Sequence, residues 1–199
     1  MNGDPSESEL LRQALADSED LHRELIRHLR NVLAVIRALI RQPVSENGHD
    51  PHEYRARLEG RVDALTRVQS TLLRDRRMGT DLEGLVRDQL AMFGTQAEHE
   101  VVIKGRAIRL SPRATGLMAL LIHELAIGTL EDGSHPISVS WKAGKANGLK
   151  LVWTDRGAGE RDLQWIERAF DYELSGSLTT KLDGGARRFL ACLPAAHLI

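Results

Sequence analysis

Residues 23–42, RELIRHLRNVLAVIRALIRQ, carry the pattern that decides the fold of the first third of the chain. On a helical wheel that starts at Leu25, the apolar side chains fall within roughly 80° of it on either side. These apolar positions are Leu25, Leu29, Val32, Leu33, Ile36, Leu39 and Ile40. The opposite side of the wheel holds Ala34 and the basic positions Arg23, Arg27, Arg30, Arg37 and Arg41. The stretch therefore predicts a strongly amphipathic helix with a basic outer face.

The helical pattern extends from residue 6 to about residue 77, with one interruption. Pro43 begins a break, and residues 44–52, VSENGHDPH, contain Asn-Gly and Asp-Pro turn signals. A second helix is predicted over residues 53–77. Its apolar stripe is Leu58, Val62, Leu65, Val68 (or Gln69) and Leu72. The two helices form an αα-hairpin whose apolar stripes need a partner. We expect a homodimer with a four-helix bundle; the alternative is a monomer in which the second domain covers the hairpin.

From about Thr80 the pattern becomes that of a mixed helix and strand domain. Thr80 or Asp81 is the expected N-cap of a helix. The predicted elements are a helix over 81–92, short strands over 99–105 and 107–110, a long apolar helix over 112–130, a strand hairpin over 137–143 and 148–155, a helix over 163–172 and a strand over 186–194. This order predicts an α+β chain in which an α/β sandwich follows the hairpin. The predicted divisions are an N-terminal extension over 1–19, the hairpin over 20–78 and the second domain over 79–199.

Composition excludes several classes of protein. Of the 199 residues, 42% are hydrophobic and 28% charged, so a globular core is expected rather than global disorder. A net charge of -1 argues against a nucleic-acid partner. The single cysteine, Cys192, excludes an internal disulfide and a Cys-rich metal site. No apolar run of transmembrane length and no signal peptide stand out, so we expect a cytoplasmic protein with no membrane partner.

Four sequence motifs occur in a specific order. They are Leu29-Arg-Asn-Val-Leu-Ala-Val35, Gly79-Thr-Asp-Leu-Glu-Gly-Leu-Val-Arg87, His123-Glu-Leu-Ala126 and Trp153-Thr-Asp-Arg-Gly-Ala-Gly159. Over residues 20–194 this order resembles the core of an HWE-type sensor histidine kinase. The resemblance implies a dimerisation and histidine-phosphotransfer hairpin followed by a GHKL (Bergerat-like) ATPase-like domain. The architecture is also similar to that of dimeric histidine phosphotransferases.

The chain departs from the family where the phosphoacceptor is expected. Registering the first motif on Asn31 places the family's phosphoacceptor histidine at position 27, which is Arg27. Its guanidinium stays protonated and offers no lone pair for attack on phosphate. His28 is turned by about 100° from that position, toward the apolar stripe, and is expected to pack there. Asn31 lies one turn after position 27, where the resemblance implies a group that can position water for dephosphorylation.

The nucleotide half departs from the family too. Gly128 stands where the family has a Mg²⁺-binding asparagine, and Glu131 stands where a lysine is usual. The remnant nucleotide site implied by the resemblance is His123, Glu124, Asp155, Gly157 and Gly159, with Asp155 accepting from the adenine amino group. A second glycine box is only suggested by residues 175–178, SGSL. We therefore expect no cofactor and no metal site, with ATP and Mg²⁺ as the alternative.

Three functions compete. In the first, the chain is a degenerate histidine kinase that docks a response regulator receiver domain on Arg23, Arg27, Arg30 and Arg37, as adapter or, through Asn31, as phosphatase. The plainer explanation of these arginines is a solvated helix face. In the second, it is an active histidine phosphotransferase or kinase that relays phosphate through His28. In the third, it is a GHKL-type anti-sigma or switch protein, which the helical hairpin disfavours.

Overall fold

Two long helices are present where the sequence predicts the helical hairpin. The computed structural model describes residues 7–40, 51–74, 79–91, 101–131, 136–144, 148–156, 161 and 163–199. Helix α1 spans Glu7–Ile40 and helix α2 spans Pro51–Arg74, as the helical periodicity predicts. The predicted loop over 44–50 lies outside the described residues. Helix α1 runs without interruption from Glu7, so the segment before the amphipathic stretch is part of the same helix.

The second domain consists of a five-stranded sheet, a two-stranded sheet and three helices within the described residues. In chain order the elements are β1 (Thr80–Asp81), α3 (Leu82–Ala91), β2 (Val101–Lys104), β3 (Arg109–Leu110), α4 (Pro112–Glu131), β4 (Ile137–Gly144), β5 (Gly148–Asp155), α5 (Gln164–Leu174), β6 (Ser177–Asp183), β7 (Ala186–Leu193) and a 3-10 turn (Ala195–His197). The large sheet has the order β2-β4-β5-β7-β6. Strand β2 is parallel to β4, and the remaining neighbours are antiparallel, so the predicted mixed sheet is confirmed.

Most local predictions in this domain agree with the structure. The β4–β5 hairpin, β7 and the long helix α4 lie at the predicted places. Asp81 is the cap of α3, because its Oδ2 accepts a hydrogen bond of 2.7 Å from the backbone N–H of Gly84. The two short strands predicted around Gly105 belong to different sheets: β2 joins the large sheet, and β3 pairs with β1. Strand β6 is an element that the sequence reading missed.

Helix α4 lies at the centre of the molecule and brings the hairpin to the sheet. Its apolar residues belong to one core cluster with residues of the large sheet. Its other side meets the hairpin at Gly116, where a Cβ would lie 3.4 Å from Val35 Cγ2 and 3.9 Å from Leu65 Cδ2. A helix that packs on both sides needs apolar residues on most of its circumference, which explains the largely apolar sequence of α4.

The hairpin is only partly covered by the second domain. Val35 of α1 and Ala64 of α2 are buried, whereas most of the described apolar stripe of α1 is exposed. On α2, Val62 of the predicted stripe is 48% exposed, and the residues buried against the second domain include Arg61 and Ala64. The α2 stripe positions from 68 onward lie outside the described side chains. Among the residues that the structure describes, no helix is both long and apolar enough to cross a bilayer.

Candidate functional site

The carboxylate of Asp155, at the end of β5, is buried against two arginines. Its Oδ1 accepts a hydrogen bond of 3.0 Å from Nε of Arg187. Its Oδ2 lies 3.2 Å from a terminal guanidinium nitrogen of Arg161, 2.9 Å from the Thr129 hydroxyl and 3.2 Å from Nε1 of Trp153. The register of the sheet places Asp155 directly opposite Arg187 on β7, which fixes that pair. Asp155 is the carboxylate predicted to accept a hydrogen bond from adenine. Both of its oxygens are therefore already in contact with polar groups of the chain itself.

Arg161 also fills the position left by Gly128. A Cβ at Gly128 would lie 2.4 Å from Nε and 2.7 Å from Cζ of Arg161. The guanidinium donates a hydrogen bond of 2.7 Å to the carbonyl oxygen of Leu125, one turn earlier on α4, and another of 3.1 Å to the Thr129 hydroxyl. The side chain thus lies along the surface of α4 and reaches Asp155, and only a glycine at 128 leaves room for it.

Among the described side chains, the buried Asp155 carboxylate is paired with two guanidinium groups, those of Arg161 and Arg187. The Arg161 and Arg187 guanidiniums lie 5.5 Å and 5.7 Å from the ring centroid of Phe189, so the aromatic face contributes to their stabilisation. Because the side chains of Asp155 and Arg187 are 0% and 1% exposed, water offsets little of the charge. The arrangement is that of an internal ion-pair network.

Glu124, the second carboxylate of the predicted remnant site, is paired with the hairpin. Nε and a terminal nitrogen of Arg61 on α2 donate to Oε1 and Oε2 of Glu124 at 2.5 Å and 2.8 Å. The Arg61 guanidinium also lies 4.9 Å from the ring centroid of Trp165 on α5. This bidentate pair joins the hairpin to two helices of the second domain, and it occupies the Glu124 carboxylate.

His123 is buried beneath the same junction. A Cβ at Gly60 of α2 would lie 3.2 Å from Nε2 of His123, so the glycine allows α2 to approach α4 closely here. Burial lowers the pKa of the His123 imidazole below its ordinary value; the negative charge of Glu124 opposes this shift, and the positive charge of Arg61 adds to it. His123 is therefore neutral at physiological pH and forms part of the interface between α2 and α4.

Several predicted site residues are not brought into this cluster. Arg23, Arg30 and Arg37 are exposed on α1, and Arg23 pairs with Asp20 one turn earlier. The side chains of Arg27, His28, Asn31 and Glu131 lie outside the described part of the structure, although their backbones are helical. Gly157 and Gly159 lie outside the described residues altogether.

The suggested second glycine box is wrong as a phosphate-binding loop. Ser175 is the left-handed C-cap of α5, with a φ of 49°, and its backbone N–H donates to the carbonyl of Asp171. Gly176 follows at once, and Ser177 and Leu178 begin β6. A helix end joined to a strand by so short a link leaves no loop of backbone N–H groups to surround a phosphate.

Sequence reasoning missed the three arginines that decide the state of the site. Arg61 gave a local signal, because it lies three residues after Leu58 and four before Leu65, on the face where apolar residues were expected. Arg161 and Arg187 gave no local signal. The contact of Arg161 with Gly128 and the hydrogen bond of Arg187 to Asp155 each join positions far apart in the sequence.

Comparisons with known proteins agree with this fold. Residues 24–107 match the HWE histidine kinase family. The chain is 28% identical over 176 residues to a blue-light-activated histidine kinase of Rhizobium johnstonii, covering 85% of this chain and 49% of the relative. It is 26% identical over 141 residues to blue-light-activated histidine kinase 1 of Erythrobacter litoralis, covering 67% and 39%. The chain thus spans about half, or less, of the length of these relatives.

Solved structures give the same fold at low sequence identity. The blue-light activated histidine kinase EL346 of Erythrobacter litoralis superimposes with a TM-score of 0.56 at 17% identity, over 87% of this chain and 63% of that one. Its histidine kinase domain alone gives 0.53 at 15% identity, over 91% and 95%. These likenesses extend over both the hairpin and the second domain. The family match and these two structures therefore support the predicted resemblance to an HWE-type histidine kinase core.

Proposed function

We propose that the chain is a histidine-kinase-like protein of two-component signalling that regulates a response regulator by binding it, as a pseudokinase. The observation that carries the proposal is the position of Arg161, which lies over Gly128 and contacts Asp155. In the kinases that the chain resembles, the residue at position 128 would bind Mg²⁺ and the residue at position 155 would accept a hydrogen bond from adenine. In this chain one arginine occupies both places, so the groups needed to bind a nucleotide are already used.

A Mg²⁺ ion bound to a triphosphate does not fit this arrangement of residues. Mg²⁺ needs several oxygen ligands in near-octahedral geometry, and Gly128 supplies no side-chain oxygen. The Arg161 guanidinium would lie against the cation and repel it. The Glu124 carboxylate, the nearest remaining oxygen ligand of the motif, is held by both arms of Arg61. We therefore expect no ATP-dependent autophosphorylation.

The proposed docking face for the receiver domain is the outer side of α1. Arg23, Arg30 and Arg37 are exposed along it, and Arg27 follows the same helical spacing. The active site of a receiver domain is acidic, so a basic helix face complements it. Asn31 is placed by the family register to assist hydrolysis of the receiver's aspartyl phosphate. The proposed outcome is sequestration or dephosphorylation of the regulator.

The proposal includes a homodimer. Five described apolar side chains of α1 are exposed by 37–56%: Leu25, Ile26, Leu29, Leu33 and Ile36. Such a stripe calls for a partner, and two hairpins bury their stripes by packing into a four-helix bundle. In the same region Val35 is buried and Val32 is partly buried, so most of the described stripe is left available.

An active phosphotransferase that uses His28 is the second candidate. A phosphotransferase receives its phosphate from a phosphorylated receiver and needs no nucleotide. The arginine-filled nucleotide site therefore does not count against it, as it does against a kinase. The family register places Arg27, rather than His28, on the outer face, which is why we rank this function second.

One experiment separates the candidates. The purified chain is incubated with γ-labelled ATP and Mg²⁺, and separately with a labelled phosphorylated receiver domain. The pseudokinase proposal expects no label from ATP and, by calorimetry, no heat of ATP–Mg²⁺ binding. It also expects receiver binding that weakens in Arg30→Glu. Label transferred from the receiver and abolished by His28→Ala would establish the phosphotransferase. Robust labelling from ATP would refute the pseudokinase.

The effect of Asn31 is tested in the same assay. If it positions water, Asn31→Ala slows the loss of receiver phosphate and leaves receiver binding unchanged. Arg55→Ala, at an exposed position of α2 away from the proposed face, is the matched control. An unchanged rate in Asn31→Ala would restrict the function to binding.

A further inference from the structure

One face of the large sheet is left open in the part of the chain that the structure describes. Side chains alternate between the two faces of a strand, and one set on β4, β5 and β7 is buried in the core together with α4. The other set points away from α4 and is exposed or partly buried. We call this second set the open face. Its rows run from Ser138, Thr154 and Arg188 to Lys142, Lys150 and Cys192, and β2 and β6 extend them at either edge.

The open face is basic. Five exposed side chains on it are cationic: Lys104, Lys142, Lys150, Lys181 and Arg188. None of these five side chains forms an ion pair or a hydrogen bond with the described part of the chain. The acidic residue on the same side of the described strands is Asp183, which lies at the tip of the β6–β7 hairpin, beyond these rows. The open face therefore carries positive charge that no described carboxylate neutralises.

Four of the five cations stand directly opposite one another across neighbouring strands. Lys142 of β4 pairs in register with Lys150 of β5, and Lys181 of β6 pairs with Arg188 of β7. Like charges in directly opposed positions destabilise a sheet. The free chain thus bears this cost twice on one face, whereas an anionic partner would turn both pairs into favourable contacts.

The two basic pairs lie at opposite corners of the open face, with an apolar centre between them. Val152 and Leu190 are opposed on β5 and β7 in the middle row, and both are partly buried. The pairs are separated by four residues along the strands, about 13 Å, and by two strand spacings, about 10 Å. The diagonal between them is therefore about 16 Å, which a short peptide segment can span.

We propose that the open face docks an acidic segment of a partner protein. Carboxylates near its two ends meet the Lys142–Lys150 and Lys181–Arg188 pairs, and small apolar side chains between them pack on Val152 and Leu190. Charge complementarity of this kind selects the partner and speeds its association. The inference goes beyond docking of a receiver domain on α1, because the open face belongs to the second domain and points away from α4 and the hairpin.

The composition of the open face favours a protein over the other anionic macromolecules. Its described rows contain no aromatic side chain on which the bases of a single strand could stack. A flat sheet face also presents no helix or ribbon that could enter a duplex groove. Membrane-binding surfaces insert exposed Trp, Phe or Leu side chains, whereas Val152 and Leu190 are partly buried between the strands.

Fluorescence polarisation of the full 199-residue chain tests the proposal. The probe is a fluorescein-labelled polyglutamate peptide that is long enough to reach both pairs. The variants are Lys142→Glu, Arg188→Glu and the two together. Arg168→Glu, at an exposed position of α5, is the matched control, because it makes the same change of charge away from the sheet. The double variant is expected to bind the peptide at least ~10-fold more weakly, because like charges then meet across the contact. Arg168→Glu should bind it as the unsubstituted chain does.

Urea unfolding of the same variants tests the cost of the like-charge pairs. Lys142→Glu and Arg188→Glu each place opposite charges across the strands, so each should raise the urea midpoint while it weakens peptide binding. Midpoints that fall in both variants would show that the pairs cost the free chain no stability and would remove the premise. Binding of the receiver domain should be unchanged in both, so failure of this proposal is distinct from failure of docking on α1.

The other outcomes each overturn the proposal. Absence of peptide binding would do so directly, and an equal loss of binding in Arg168→Glu and the double variant would leave only attraction by net charge. Tighter binding of mixed-sequence single-stranded DNA, or of phosphatidylserine vesicles, through the same residues would assign the open face to a nucleic acid or a membrane. A change in mass of the double variant by light scattering would assign it to a second copy of the chain.

Discussion

Replacing Arg61 by alanine tests whether the hairpin is held to the second domain as described. The side chain is 4% exposed and makes two charge-assisted hydrogen bonds to Glu124, whose side chain is 12% exposed. Removing one partner of a buried pair leaves the other charge without compensation, which costs about 3–5 kcal/mol. Loss of the contact with the Trp165 ring adds to the effect. Since whole domains are stable by about 5–15 kcal/mol, Arg61→Ala should remove a large share of the free energy of unfolding.

The assay is urea unfolding followed by tryptophan fluorescence, because Trp165 lies against the Arg61 guanidinium. Arg61→Ala should lower the urea midpoint at an unchanged slope. Arg55→Ala is the matched control: it removes an arginine from the same helix whose partner, Glu59, is exposed, and should not move the midpoint. The double variant Arg61→Leu, Glu124→Leu should recover much of the loss, because no buried charge remains. A loss of less than about 1 kcal/mol in Arg61→Ala would refute the buried pair and the docking of α2 that it implies.

Two further predictions concern packing and pH. Gly105→Ala places a Cβ 2.0 Å from the Trp141 ring and should lower the free energy of unfolding by about 1–3 kcal/mol. Gly144→Ala is the control, because no atom lies within 4 Å of its Cβ, and it should leave the free energy of unfolding unchanged. Equal urea midpoints for the two variants would contradict the close approach of the Trp141 ring. Burial lowers the pKa of His123, so the unfolded chain binds the proton more readily than the folded chain does. The contribution of His123 to the free energy of unfolding should therefore be fully present above about pH 6.5 and should be lost as the pH falls toward the folded-state pKa. His123→Gln should flatten the fall of the urea midpoint between about pH 7 and pH 5. Parallel curves for His123→Gln and the unsubstituted chain would exclude the explanation.

The elements that the sequence predicted are those whose signals are local. The helical periodicity of α1, the apolar run of α4 and the alternation in β4 and β5 each lie within one segment, so each could be read without knowledge of its neighbours. Strand β6 was missed because it is an edge strand with one buried residue, Leu178, and therefore shows no alternation. Pairing of β1 with β3 was missed because two-residue strands carry almost no pattern.

The sequence shows which residues of the family motifs are absent from the candidate site, but it does not show which side chains lie in their place. The missing asparagine at position 128 is visible in the sequence, because a motif names the residue that should stand there. The presence of Arg161 beside Gly128 is a contact between two segments that lie far apart in the sequence. The pairing of Glu124 with Arg61 depends on how the hairpin docks. Both are long-range contacts, which side-chain type and spacing within one segment do not encode.

Under the proposed function, the packing of Arg161 over Gly128 would make the loss of nucleotide binding hard to reverse by single substitutions. A side chain introduced at position 128 would begin 2.4 Å from Nε of Arg161, so the guanidinium would have to move and give up its contacts with Leu125, Thr129 and Asp155. Removing Arg161 first leaves Asp155 with one guanidinium fewer in a buried site, which also costs stability. Each single step back toward a nucleotide-binding sequence is therefore unfavourable, and only the two changes together relieve the clash. Under the same proposal, this dependence of positions 128 and 161 on each other would preserve the altered site even without selection for its role.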